Sequence, residues 1–131
     1  MKKICLLFSL VLILRACWMD IDWSIRIINN SNKTIYVFAD FIYPEKSLPV
    51  DKPNYFREIK PKSMGNLRAQ FFNDWGFKRF QQEKLTLFIL DKDVVDTKTW
   101  EYIRENDIVL KRYEGRMDDF PRNNGVEVYY P

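Results

Sequence analysis

Histidine is absent from all 131 residues. That removes the Ser-His-Asp and Cys-His nucleophile arrangements, the usual general acid or base near neutral pH, and every histidine-containing zinc site. Cysteine is confined to Cys5 and Cys17, and the four glycines, Gly65, Gly76, Gly115 and Gly125, are too far apart to form a phosphate-cradling loop. Long apolar runs are missing as well. The longest, Ile4 to Leu14, would rise only about 16 Å as a helix, roughly half of a bilayer's hydrocarbon thickness. With Lys2 and Lys3 before it and a small residue after it, this run has the order of a secretory signal. Neither an enzyme nor a cofactor or metal is expected from this inventory.

Leu14, Ala16 and Cys17 resemble the bacterial lipobox, with an aliphatic residue, a small residue and the cysteine that takes the lipid; Arg15 departs from that pattern. The resemblance implies a signal peptide over residues 1–16, a lipidated Cys17 with a short tether over residues 17–22, and a folded domain over residues 23–131. It also implies a membrane partner through Cys17 and a place in the cell envelope, at the outer membrane. Removing Lys2, Lys3 and Arg15 from the 21 basic residues leaves 18 against 18 acidic ones, so the apparent excess charge of +3 belongs to the targeting segment. A neutral domain lacks the concentrated cationic surface that nucleic acid demands, and no nucleic-acid partner is expected. With Cys5 gone, no internal disulfide can form, and the fold must stand on its core.

The domain reads as seven short strands. Residues 23–39 alternate in two arms, with Trp23, Ile25 and Ile27 on the first and Ile35 and Val37 on the second, around the polar run Asn29–Lys33. This predicts a β-hairpin. Residues 43–53 hold Pro44, Pro49 and Pro53 and form a surface crossover loop. Strands follow over residues 55–60 and 67–72, with a turn over residues 62–66 between them. Lys84 to Leu90 is the most apolar segment after the signal and belongs at the centre of a sheet. Further strands cover residues 108–113 and 125–130, with a turn of helix near residues 117–120. Short helices are expected over residues 75–82 and over residues 100–106, the second capped by Thr97 or Thr99. The fold class is therefore mainly β, a single antiparallel β-sandwich with two short helices.

The lipobox, the segment IINNSNKTIYV, the Tyr43-Pro44 loop and the run WEYIRENDIVLKRY together resemble the small lipoproteins abundant in Bacteroidota. That resemblance implies an envelope location and a compact β-rich domain and carries no activity with it. Among the residues themselves, Asp91, Asp93 and Asp96 are the acidic cluster to weigh. Val95, Asp96 and Tyr102 stand where a calcium loop needs an oxygen ligand, a glycine and a bidentate acid, so capping and solvation explain the cluster better. Trp75 and Trp100 are expected in the core, each opening a helix that must dock. Tyr129 and Tyr130 are the candidate ligand-surface aromatics, because neighbours on a strand point to opposite faces and one of the two should be exposed. The function these features support is a lipid-anchored, non-catalytic module that binds an envelope protein or glycan. The alternatives are a small carboxylate-based hydrolase and an immunity-type inhibitor.

Overall fold

The computed structural model describes residues 24–41, 47–68, 82–119 and 126–131. Trp75 with the helix expected around it, Cys17 and the whole region before Ser24 lie outside them. The elements are β1 (Ser24–Asn29), β2 (Ile35–Asp40), β3 (Arg57–Ile59), β4 (Ser63–Arg68), β5 (Leu85–Asp91), α1 (Lys92–Thr97), α2 (Trp100–Glu105), β6 (Lys111–Gly115), a 3-10 turn at Met117–Asp119, and β7 (Val126–Tyr130). They form a mainly β architecture of two facing sheets with two short helices. One sheet has three strands in the order β4-β1-β7, and the other has four in the order β3-β2-β5-β6.

The expected hairpin is not there. β1 and β2 belong to different sheets, and the run between them is an arch that carries the chain from one layer to the other. The reason is written in their outward faces. Opposite its core residues Ile35, Val37 and Ala39, β2 carries Tyr36 and Phe38, so both of its faces need cover; β1 carries Arg26 opposite Ile25 and Ile27. Side by side in one sheet, Arg26 would share a face with Tyr36 and Phe38, whose cover comes from Phe56 and Trp100. The arch leaves Arg26 to the layer where Glu127 meets it.

Asn29 makes that arch. It is fully buried at the end of β1, where its amide nitrogen donates to the carbonyls of Lys33 at 2.8 Å, Lys60 at 3.0 Å and Ile59 at 3.2 Å. Its side-chain oxygen accepts from the Ser31 amide at 3.0 Å and the Ser31 hydroxyl at 2.7 Å. A second connection between layers, from β3 to β4, thus meets the first at one side chain. There the turn is Pro61-Lys62, with Lys62 at φ 53°, and Ser63 to Asn66 are already strand, earlier than the predicted strand over residues 67–72. Gly65 is in that strand because Ile59 lies across it: a Cβ would meet the Ile59 side chain at 2.9 Å.

β1 pairs antiparallel with β4 and parallel with β7, and the four-stranded sheet is antiparallel throughout. The β1–β7 pair is the departure from the expected all-antiparallel arrangement. Between the sheets lies a core of Ile25, Ile27, Leu67, Val126 and Val128 from one side and Ile35, Val37, Ile59, Leu85, Leu87 and Ile89 from the other. β5 is buried along its whole length and central in its sheet, as its composition predicts. A second core on the far face of that sheet joins Phe38, Phe88 and Leu90 to Val95 of α1 and Ile103 of α2. α1 is the helix that the sequence reading passed over. The segment Ser47–Pro53 lies in this layer too, with Leu48 buried and Pro49 accepting from the Trp100 indole at 3.0 Å. Because β2 and β3 are paired, the proline-rich loop returns to its own sheet and does not cross to the other. Trp100 packs edge-on against Phe38, in the core role expected of it.

Candidate functional site

Both described helices sit on the four-stranded sheet, and the three-stranded sheet turns its outer face away from them. Strand alternation puts Arg26 and Ile28 on that face from β1, Met64 and Asn66 from β4, and Glu127 and Tyr129 from β7. The registers align them in two rows. Asn66, Arg26 and Glu127 form one, and Met64, Ile28 and Tyr129 form the next. Met64 is 67 % exposed and Tyr129 51 %, with Ile28 half-buried between them.

The charged row holds the tyrosine of the second row in place. Arg26 donates from Nη1 to Glu127 Oε1 at 3.0 Å, and the Tyr129 hydroxyl donates to Glu127 Oε2 at 2.9 Å. Glu127 is only 8 % exposed under these two side chains. The hydrogen bond from Tyr129 to Glu127, and then the carboxylate's charge, push the phenol above its ordinary value, so Tyr129 stays a neutral donor at physiological pH. A ring tied down in this way has already lost its rotamer freedom, and a partner that covers it meets a fixed surface.

Of the two predicted aromatics, Tyr129 is the exposed one, and Tyr130 turns inward and packs against the inter-sheet core. The backbone carbonyl of Tyr129 accepts from the Tyr113 hydroxyl of β6, which ties the two sheets together along that side. Met64 and the Arg26–Glu127 pair were not singled out from the sequence, because strand order cannot be read from alternation; β4 and β7 meet β1 only through the register.

The acidic cluster after β5 is engaged as the capping explanation required. Asp91 caps α1 by accepting from the Asp93 amide at 3.0 Å and forms an ion pair with Lys33 at 2.7 Å. Asp96 pairs with Lys92 one helical turn away. Burial alone would raise the Asp91 carboxyl, but the hydrogen bonds from Lys33 and the Asp93 amide, with the charge of Lys33, outweigh it and hold the group below the ordinary carboxylate value. Asp91 therefore keeps fewer protons folded than unfolded. Its stabilisation is present above the unfolded carboxylate value of about 3.9 and is lost as pH falls through the lower folded value. Asp91→Asn keeps a good cap and removes the ion pair. Urea midpoints of the two proteins are expected to differ near neutral pH and to converge below about pH 4; curves that stay parallel across the acid range would refute this.

No family model, no curated protein and no solved structure matches the chain.

Proposed function

We propose that this protein is a lipid-anchored, non-catalytic interaction module of the cell envelope, and that it meets a protein or glycan partner through the outer face of its three-stranded sheet. The observation that carries this is the row Met64–Ile28–Tyr129, with its tyrosine fixed by Glu127. Methionine, tyrosine and arginine are the residue types enriched in binding surfaces, and a held aromatic is a common energetic anchor. Of the carboxylates on which a hydrolase would rest, Asp91 caps α1 and pairs with Lys33, and Asp93 is exposed in the first turn of that helix; Asp96, the third of the cluster, pairs with Lys92.

The proposed anchor fits this surface. Ser24 follows Cys17 by seven residues, so a tether from a lipidated Cys17 reaches at most about 25 Å. β1 then runs away from that end, and Ile28 lies roughly 13 Å further along it. A tether of that reach leaves the Met64–Ile28–Tyr129 row free to face away from the membrane.

Photo-cross-linking residues placed at positions 64, 129 and 101 test the proposal in cells producing the full chain. Glu101 is exposed on α2, on the opposite side of the molecule. Discrete adducts are expected from positions 64 and 129 and not from 101, in the membrane fraction. Cys17→Ala is expected to move the protein to the soluble fraction, because acyl chains contribute about 0.8 kcal/mol per buried methylene. Tyr129→Ala is expected to weaken the adduct-forming complex by about 2 kcal/mol. Equal adducts from all three positions, or none, would reject the surface; membrane retention of Cys17→Ala would reject the anchor.

A further inference from the structure

β4 is an edge of the three-stranded sheet, with β1 on one side and no further strand on the other among the described residues. The direction of its main chain follows from one bond at the end of the sheet. The Asn30 amide donates to the Tyr130 carbonyl at 2.5 Å, so Asn30, and before it Ile28 and Arg26, turn their N–H and C=O groups toward β7. Main-chain groups alternate sides along a strand. Ile25, Ile27 and Asn29 therefore face β4, and Leu67, Gly65 and Ser63 face back to them. Met64 and Asn66 are left with their N–H and C=O groups directed outward, and both residues are exposed.

One cation stands beside this edge without a partner. Arg57 of β3 pairs with Val37, so its side chain points inward with that of Val37, at the rim of the space between the sheets. A Cβ on Gly65 would lie 3.4 Å from Arg57 Nε, which places that nitrogen under β4. Nε is buried and meets no hydrogen-bond acceptor among the described residues. The nearest charges in sequence are turned away or committed: Glu58 lies opposite Tyr36 on the outer side of its sheet, and Lys62 donates to the Asn30 carbonyl. Inward-pointing charge keeps edge strands from pairing indiscriminately, since an apolar strand laid against β4 would trap it unpaired. A strand that carries a carboxylate at that place would meet it.

We propose that the β4 edge is a strand-addition site for an extended acidic segment of a partner protein, whose main chain pairs with Met64 and Asn66 and whose carboxylate reaches Arg57. The inference rests on the proposed function for the sheet that meets the partner, and it names the partner's chemistry. The partner residue opposite Gly65 turns its side chain inward, with its Cβ about 5 Å from the place a Gly65 Cβ would take. An aspartate or glutamate covers the remaining distance to the guanidinium. Its two neighbours fall on the outer face, one beside Met64 and one beside Asn66, so an apolar residue suits the first and a polar one the second. The added strand thus lengthens the Met64–Ile28–Tyr129 row by one residue. Main-chain pairing supplies affinity and Arg57 supplies selection, the division of labour common to peptide recognition at sheet edges.

The test is a titration of the isotope-labelled full chain in detergent micelles with a short blocked peptide of alternating valine and glutamate. Without peptide, the amides of Met64 and Asn66 are expected to exchange with solvent faster than those of Gly65 and Leu67. With peptide, their resonances shift and their exchange slows. The valine-lysine counterpart is expected to bind about tenfold more weakly, Arg57→Gln to remove that preference, Arg57→Glu to reverse it, and N-methylation of the valine amides to abolish binding. Equal protection of all four amides in the free protein would mean that the edge is already paired, and would overturn the proposal. So would undiminished binding of the N-methylated peptide, or equal binding of the glutamate and lysine peptides. A titration that fails while cross-links at positions 64 and 129 persist overturns the edge site alone; absent cross-links with Met64 and Asn66 still answering the peptide reject the outer face and support the edge.

Discussion

Leu87→Asp is expected to leave the chain without a cooperative fold. Leu87 is 1 % exposed on the inner face of β5, opposite Ala39 on β2 and Tyr113 on β6, in a core whose buried members are all apolar. Two costs combine. Removing a buried leucine side chain costs about 2–5 kcal/mol. An aspartate placed there has no cation to meet, so it must stay protonated, and holding a carboxyl neutral at pH 7 by burial corresponds to shifts of roughly 3–5 pH units, or about 4–7 kcal/mol. Together these approach the whole stability of an ordinary domain, about 5–15 kcal/mol. Ile89→Asp, on the same face of the same strand, should behave alike. Amide dispersion in NMR spectra and the thermal transition should both be lost, whereas Leu110→Asp, at a partly exposed position before β6, should keep both. An undiminished transition in Leu87→Asp would mean that β5 is not the centre of the core.

The position of β5 was legible because burial on both faces erases alternation, and no other segment after the signal is as continuously apolar. The strand count and the two-sheet class were legible for the related reason that each strand turns one apolar face inward. Pairing was not. In residues 24–40 both a hairpin and an arch satisfy the alternation, and they differ only in what lies across from each strand's outer face. That difference is visible in Arg26 against Tyr36 and Phe38, but weighing it requires knowing which sheet the described helices cover. The same blindness to strand order hid the candidate surface: Tyr129 could be nominated from a Tyr-Tyr pair on a strand, but Met64 sat in an expected turn, and nothing near Glu127 in the sequence points to Arg26. α1 was hidden because its start, Asp91-Lys92-Asp93, reads as a polar connection, whereas α2, no longer, is announced by the Thr99 cap and by Trp100 and Ile103 three residues apart.

Asn29→Ala is expected to be the most damaging polar substitution among the described residues, at about 3–5 kcal/mol. Its amide serves three carbonyls and its oxygen two donors. Water can reach the more open partners at Lys33, Lys60 and Ser31, so their losses are partial, and the Ile59 carbonyl, which pairs with Ile35 in the β2–β3 ladder, loses its second donor at a fully buried contact. Each lost hydrogen bond costs about 0.5–1.5 kcal/mol, and the cavity left by the side chain adds to them. Asn29→Asp separates the two halves of the site. It keeps the acceptor for Ser31 but turns a carboxylate toward three carbonyls, so at neutral pH it should be at least as harmful as alanine. Ser31→Ala, which keeps the bond from its own amide to the Asn29 oxygen and loses those of its hydroxyl with Asn29 and Lys33, should cost about 1 kcal/mol, and Asn30→Ala, at an exposed neighbour, less than about 0.5. Urea unfolding of the four variants orders them. If Asn29→Ala fell within about 1 kcal/mol of the parent, the two arches would be held by the apolar faces alone. The expected order places the decision between arch and hairpin in one buried amide, because Asn29 meets carbonyls from both the β1–β2 and the β3–β4 connections, and it can do so only when each connection crosses between the sheets.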